Sequence, residues 1–188
     1  LDSTPELLES FGLDDSYLNY DVQYRFNAGD ATVTGFDASY RQGLTFLPQW
    51  ARGVDVFYNV TTQRLQGTTL ADFNNFVRRN DNYGVTLSRP KFTLRVKVND
   101  RGRQRTGIVT GANVAPGAYR YQAPKRMLDI DFEYRLRRGL SLFVAGRNVT
   151  NVPSTHQEVY GDGTPEYART ASYWEHGVNY VMGVKGSF

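Results

Sequence analysis

"LDIDFEYRLRRGLSLFVAGRNV", residues 128–149, alternates apolar and polar side chains with a period of two. Leu128, Ile130, Phe132, Tyr134 and Leu136 fall on one side, and Asp129, Asp131, Glu133, Arg135 and Arg137 on the other. Successive side chains of a β-strand point to opposite faces, so this is the pattern of a strand with one apolar and one charged face. The "RRG" at 137–139 reads as a tight turn, after which "SLFVAGRNV" resumes the alternation.

The same period recurs along the chain. Phe92, Leu94, Val96 and Val98 oppose Thr93, Arg95, Lys97 and Asn99; Tyr83, Val85 and Leu87 oppose Asn82, Gly84, Thr86 and Ser88. Val54, Val56, Tyr58 and Val60 oppose Asp55 and Asn59, and Phe36, Ala38 and Tyr40 oppose Asp37, Ser39 and Arg41. Eight strands are predicted, near 17–26, 31–43, 53–65, 78–88, 92–105, 125–136, 140–150 and 171–188. Short connectors at 27–30, 44–53, 88–91 and 137–139 carry Gly, Pro, Asn and Asp turn chemistry; longer ones span about 66–79, 106–124 and 151–169. The opening "TPELLESFGLD" suits a short helix with Thr4 as N-cap and Pro5 in its first turn.

Composition agrees with a β protein: 13 Tyr, 11 Phe and 18 Gly favour strands and turns. Cysteine is absent, which excludes disulfides, thiolate metal sites and a cysteine nucleophile. The net charge of +3 does not mark a nucleic-acid binder, and no nucleic-acid partner is expected. No apolar run approaches the roughly 20 residues of a transmembrane helix. The mean hydropathy of −0.52 does not argue against membrane strands, which are apolar only on every second residue. The chain starts at Leu1 with no signal-peptide pattern, so a processed or partial chain is expected.

Eight amphipathic antiparallel strands fit a soluble sandwich with a dry core or a membrane barrel with an apolar outside. Strands of 10 or more residues match the roughly 9–11 tilted residues that cross a bilayer. From residue 44 onward short and long connectors alternate, and aromatics gather near strand ends, as in a barrel with tight turns on one side. These features favour an all-β, antiparallel transmembrane β-barrel segment that occupies 1–188 and forms part of a larger barrel.

"LFVAGRNVTNVPSTHQEVYGDGTPEYARTASYWEHGVNYVMGVKGSF" resembles the carboxy-terminal strands of TonB-dependent outer-membrane receptors. Val144, Gly146, Asn148, Val149, Thr150 and Asn151 sit where that family has a "v.g.NltN" segment before its last extracellular loop. Upstream, "GDATVTGFDASYRQGLTFLPQWARGVDVFYNVT" is similar to the family's strand, "FLP"-type periplasmic turn and strand. The resemblance covers the chain from about residue 27. It implies a bacterial outer-membrane receptor that takes up a scarce ligand, such as a metal chelate, cobalamin or an oligosaccharide, by TonB-coupled transport. Implied partners are outer-membrane lipid and lipopolysaccharide, the remaining barrel and plug, TonB through an amino-terminal part, and the barrel-assembly machinery. In such barrels the final strand is the assembly signal, here Tyr180, Met182, Val184 and Phe188. A stand-alone small barrel with a structural or adhesive role and a soluble β-sandwich binding module are the alternatives.

The resemblance places the turns at 44–53, 88–91 and 137–139 in the periplasm and the longer loops outside. Matching faces across the "RRG" turn sets Leu136 opposite Leu140 and Asp129 opposite Arg147. Symmetric closure of the 106–124 loop sets Asp129 near Arg101 and Glu133 near Lys97. The expected result is an internal ladder of Arg95, Lys97, Arg101, Arg103, Arg105 and Arg147 against Asp129, Asp131 and Glu133. Such a strip either steers anionic ligands or neutralises itself. Candidate ligand contacts are Tyr119, Tyr121, Tyr160, Tyr167 and Trp174 with Arg101, Arg103 and Arg105.

His156, Glu158 and His176 match no compact metal-ligand spacing, and "YGDGTPEY" (160–167) is a calcium loop or, more simply, a turn. No metal site and no cofactor are expected. The sequence has no Gly-rich phosphate loop, HExxH or GxSxG, so no catalytic residues and no enzyme activity are expected.

Overall fold

A computed structural model describes residues 4–18, 30–67, 75–109, 117–161 and 163–186. A six-residue helix, α1 (Pro5–Ser10), starts where Pro5 fits the first turn, and the Leu8 amide donates to the Thr4 carbonyl at 3.0 Å. The strands follow: β1 (Ala31–Gly43), β2 (Val54–Gly67), β3 (Arg79–Ser88), β4 (Phe92–Arg101), β5 (Gln104–Ile108), β6 (Tyr119–Gln122), β7 (Lys125–Arg137), β8 (Leu140–Arg147), β9 (Thr155–Tyr160), β10 (Thr170–Trp174) and β11 (Asn179–Gly186). The expected strand at 17–26 falls almost wholly outside the described residues, as does Phe188.

The fold is all-β and antiparallel. The main sheet has seven strands in the order β1-β2-β3-β4-β7-β8-β11, and a distal sheet has four in the order β10-β9-β6-β5. The main sheet is open, with β1 and β11 at its edges, and no closed barrel exists among the described residues. Strand β5 prolongs β4 beyond Gly102 and Arg103, and β6 runs into β7 across Ala123 and Pro124. The distal sheet is thus a continuation of neighbouring main-sheet strands. This corrects the expectation for 106–124 and 151–169: those segments hold β5, β6 and β9. It also divides the expected strands at 92–105 and 171–188.

The main sheet keeps one apolar face in register from edge to edge. One row runs Tyr40, Tyr58, Tyr83, Val98, Leu128 through successive strand pairs. Another runs Leu87, Leu94, Phe132, Val144, Met182. The opposite face carries Asn82, Thr86, Arg95, Lys97, Asp129, Asp131, Glu133 and Arg147. The apolar face is not the core of a globule. Among the described residues the buried hydrophobics are Leu8, Ala118 and Ala123, while Met182 is 75% exposed.

Register is marked by three cross-strand aromatic–glycine pairs, Phe57 with Gly84, Phe143 with Gly183 and Tyr180 with Gly146. In each the ring occupies the space a side chain would fill. A Cβ at Gly84 would lie 2.7 Å from Phe57 Cε1, one at Gly183 2.8 Å from Phe143 Cε1, and one at Gly146 3.3 Å from Tyr180 Cε1. Aromatic cover of strand glycines is a known device for stabilising sheets. Lys185 Nζ sits 5.1 Å over the Phe143 ring and bonds Glu133 at 2.7 Å, reaching across β8.

Beyond β8 the chain turns at Asn148 and Asn151, both left-handed at φ 53° and 52°. Asparagine tolerates this region because its short amide can bond the local backbone. Asn148 Oδ1 accepts from the Val152 amide at 2.9 Å, and Asn148 Nδ2 donates to the Val152 carbonyl at 2.7 Å. Replacement of Asn148 by Ala is expected to cost about 2 kcal/mol, combining two lost hydrogen bonds with a strained alanine. Asn148→Gly should recover the strain portion only, and denaturant midpoints of the two variants measure the split.

Candidate functional site

The polar face of the main sheet holds ion pairs whose partners follow from the register. Lys97 faces Asp129 and Arg95 faces Asp131, while Thr93 faces Glu133 and Arg101 faces Lys125. The expected neighbours, Asp129 with Arg101 and Glu133 with Lys97, are therefore displaced by four residues. The β4–β7 register continues unchanged into β5–β6, where Gln104 pairs with Gln122. The hairpin thus closes about a point near residue 113 instead of 115.

Strands β7 and β8 keep the expected offset from Arg135–Ser141 to Ile130–Gly146, but a bulge places Arg137, not Leu136, opposite Leu140. Arg147 bonds Asp131 Oδ1 at 2.7 Å, diagonally. Asp129 instead meets Lys97 Nζ at 3.4 Å and accepts from the Asn148 amide at 2.9 Å. With Lys185 on Glu133, each of the three ladder acids has its own cation. This part of the strip neutralises itself.

The distal sheet differs. Tyr119 and Tyr121 alternate on β6, and Glu158 and Tyr160 alternate on β9; pairing sets Tyr119 opposite Tyr160 and Tyr121 opposite Glu158. All four side chains therefore share one face. Tyr121 stacks on Tyr160 at 4.7 Å between centroids, with Tyr119 6.4 Å from Tyr121. Three guanidinium groups lie on this column: Arg103 over Tyr160 at 5.3 Å and Tyr121 at 5.8 Å, Arg105 over Tyr119 at 4.7 Å, and Arg169 over Tyr160 at 4.9 Å. Arg103 also donates to the Tyr160 hydroxyl and lies 3.7 Å from Glu158 Oε2. Burial raises the Tyr121 hydroxyl above its ordinary value, so it stays a protonated donor near neutral pH.

A cleft of about 420 Å³ opens beside the column, lined by Leu65, Phe76, Arg78, Arg103, Arg105, Tyr121 and Tyr160. Leu65 lies on the polar face of β2 and Arg78 directly precedes β3, so the cleft opens on the same face as the charge ladder. Arg101 supports it from below, donating to Gln104 at 3.1 Å and to Gln122 at 3.4 Å.

Five of the eight candidate contacts thus converge: Tyr119, Tyr121, Tyr160, Arg103 and Arg105. Trp174 pairs with Thr155, one position from the Tyr173–His156 pair, and so stands on the opposite face of the distal sheet. Tyr167 is 91% exposed in a single 3₁₀ turn. Arg78, Phe76 and Arg169 were not evident in the sequence, because strand parity does not reach across the loops that deliver them. His156 packs edge-on to Tyr173 at 5.4 Å and lies 4.0 Å from Glu158, whereas His176 meets Ser154 Oγ at 2.6 Å. No three His, Asp or Glu side chains converge as a metal site among the described residues. Comparison of the chain with protein-family models, with curated proteins and with solved structures finds no match.

Proposed function

We propose that this chain forms the carboxy-terminal wall of a TonB-dependent outer-membrane receptor, serving energy-coupled uptake of a scarce ligand. The observation that carries the reading is the continuous apolar face of the main sheet. It runs from Phe92 to Val98 on β4 and from Leu128 to Leu136 on β7. At about 3.3 Å per residue these stretches measure roughly 20 and 26 Å along the strands, which a barrel tilt of about 40° turns into roughly 15 and 20 Å of height, within the ~25 Å apolar band of an outer-membrane barrel.

The borders of the face support the same reading. At one end the tyrosine row gives way to charge, with Arg79 on Asp81 at 2.7 Å and Arg126 on Asp100 at 2.5 Å. At the other end Phe92 and Phe132 lie 6.0 Å apart, with Tyr134 directly opposite Phe92. Aromatic rows flanking an apolar band suit the two interfaces of a membrane. A soluble sandwich would need a second sheet stacked on this face, about 10 Å away. The distal sheet instead extends the strands lengthwise.

In this reading the polar face lines the lumen, the turns at 88–91 and 137–139 are periplasmic, and the distal sheet with its cleft stands on the extracellular side. The paired asparagines of "GRNVTN" give the family resemblance a physical basis: they bend the chain from the wall into the outer loops.

The test is fractionation of the polypeptide as the cell makes it, with electrophoresis of unheated and heated samples. Recovery in the outer-membrane fraction with heat-modifiable mobility is the expected result. Recovery in the soluble fraction without detergent would overturn the assignment.

A further inference from the structure

We infer that the cleft beside the tyrosine column binds an acidic oligosaccharide, sugar rings that carry carboxylate or sulfate groups. This deepens the receptor reading above and rests on it for the site's extracellular position.

Two observations define the ligand. The first is charge. Three of the seven residues that line the cleft are arginines, Arg78, Arg103 and Arg105, none of the seven is a carboxylate, and Arg169 lies over the Tyr160 ring beside them. Guanidinium forks held against aromatic faces are pre-organised for oxyanions, since little side-chain freedom is lost on binding. The second is the character of the spaces between the cations. Tyr121 and Tyr160 place phenol groups there, and Leu65 and Phe76 offer apolar faces. Phenol and apolar surface therefore lies among the anion-matching groups, the combination that a sugar chain with charged rings would meet. The cleft's roughly 420 Å³ also exceeds what a simple anion fills and falls in the range of organic ligand sites.

Binding to outer membranes that hold the complete polypeptide tests the inference, with tetragalacturonate, a carrageenan tetrasaccharide sulfate and uncharged cellotetraose as probes. The expected result is saturable binding of at least one acidic probe and none of cellotetraose; which acidic probe binds tells carboxylate from sulfate. Arg103→Gln should weaken binding about tenfold, consistent with loss of one charge-assisted contact. Arg103→Lys should restore only part of it, because the fork is gone. Should Arg103→Gln fail to reach the membrane, Arg78→Gln, which supports no tyrosine ring, carries the same expectation. Lys185→Gln on the ladder should leave affinity unchanged. Equal affinity for cellotetraose, no binding of either acidic probe, or indifference of binding to both arginine substitutions would overturn the inference. Fractionation separately decides the membrane assignment, so a protein seated in the outer membrane that ignores acidic sugars refutes this inference alone.

Discussion

An arginine in place of Val96 is expected to lower folding stability in lipid by about 2–4 kcal/mol, the cost of a cation at the middle of a lipid-facing barrel wall. Val96 lies midway along the apolar run of β4, between Val85 on β3 and Ile130 on β7. No described element packs over that face, so the proposed environment there is acyl chain. Thr86→Arg places the same charge one position away on the polar face beside Arg95 and should be tolerated with a far smaller loss. A buried protein core would also reject an arginine, so a second readout is needed. Val96→Trp fluorescence should be quenched by lipids brominated along the acyl chain, and Thr86→Trp fluorescence should not. Equal quenching at the two positions would refute the lipid-facing assignment even if Val96→Arg proved destabilising.

Gly84→Ala should be the most damaging single-methyl change in the main sheet. The new methyl would fall within van der Waals distance of the Val96 carbonyl oxygen as well as 2.7 Å from Phe57 Cε1. A ring can turn aside, but a carbonyl in a strand ladder can move only by disturbing its hydrogen bonds. Overpacking of this kind costs about 1–3 kcal/mol, and the backbone contact argues for the upper end. Gly183→Ala meets ring atoms of Phe143 at 2.8 and 2.9 Å as its closest contacts. It should cost less and be rescued by Phe143→Leu, whereas Phe57→Leu should not rescue Gly84→Ala. A double-mutant cycle in denaturant for each pair provides the comparison. Equal rescue at both sites would contradict the backbone explanation.

The strands and their faces were legible in the sequence because a half-buried or half-lipid strand has a period of two, and that period persists from Phe36 to Val184. Strand pairing was less so. The symmetric-loop argument set Glu133 beside Lys97, while the structure sets Asp129 there. A slip of four residues leaves every apolar side chain on the same face, so periodicity cannot detect it. What fixes the offset is the hairpin's continuation through β5 and β6, which the polar, tyrosine-rich "YRYQ" did not advertise as a strand.

The site was legible to a similar degree. Tyr119, Tyr121, Arg103 and Arg105 stood out as candidates in the sequence, but their common face did not, because it depends on the unforeseen strand β6. Arg169 and Arg78 reach the column only because loops return to it, and the diagonal choice of Asp131 by Arg147 depends on side-chain reach. Trp174 was misplaced for a simpler reason: the bulge between Thr170 and Ser172 on β10 shifts its pairing by one, and one residue decides the face.

The aromatic–glycine pairs carry a spectroscopic consequence. Protons close to an aromatic ring are displaced by its ring current, so the α-protons of Gly84 and Gly183 should resonate away from those of ordinary strand glycines. A two-residue slip would preserve both faces of the sheet and carry each glycine away from its ring. Those two resonances would therefore report the alignment of β2 with β3 and of β8 with β11 in a single spectrum, without a complete assignment of the protein.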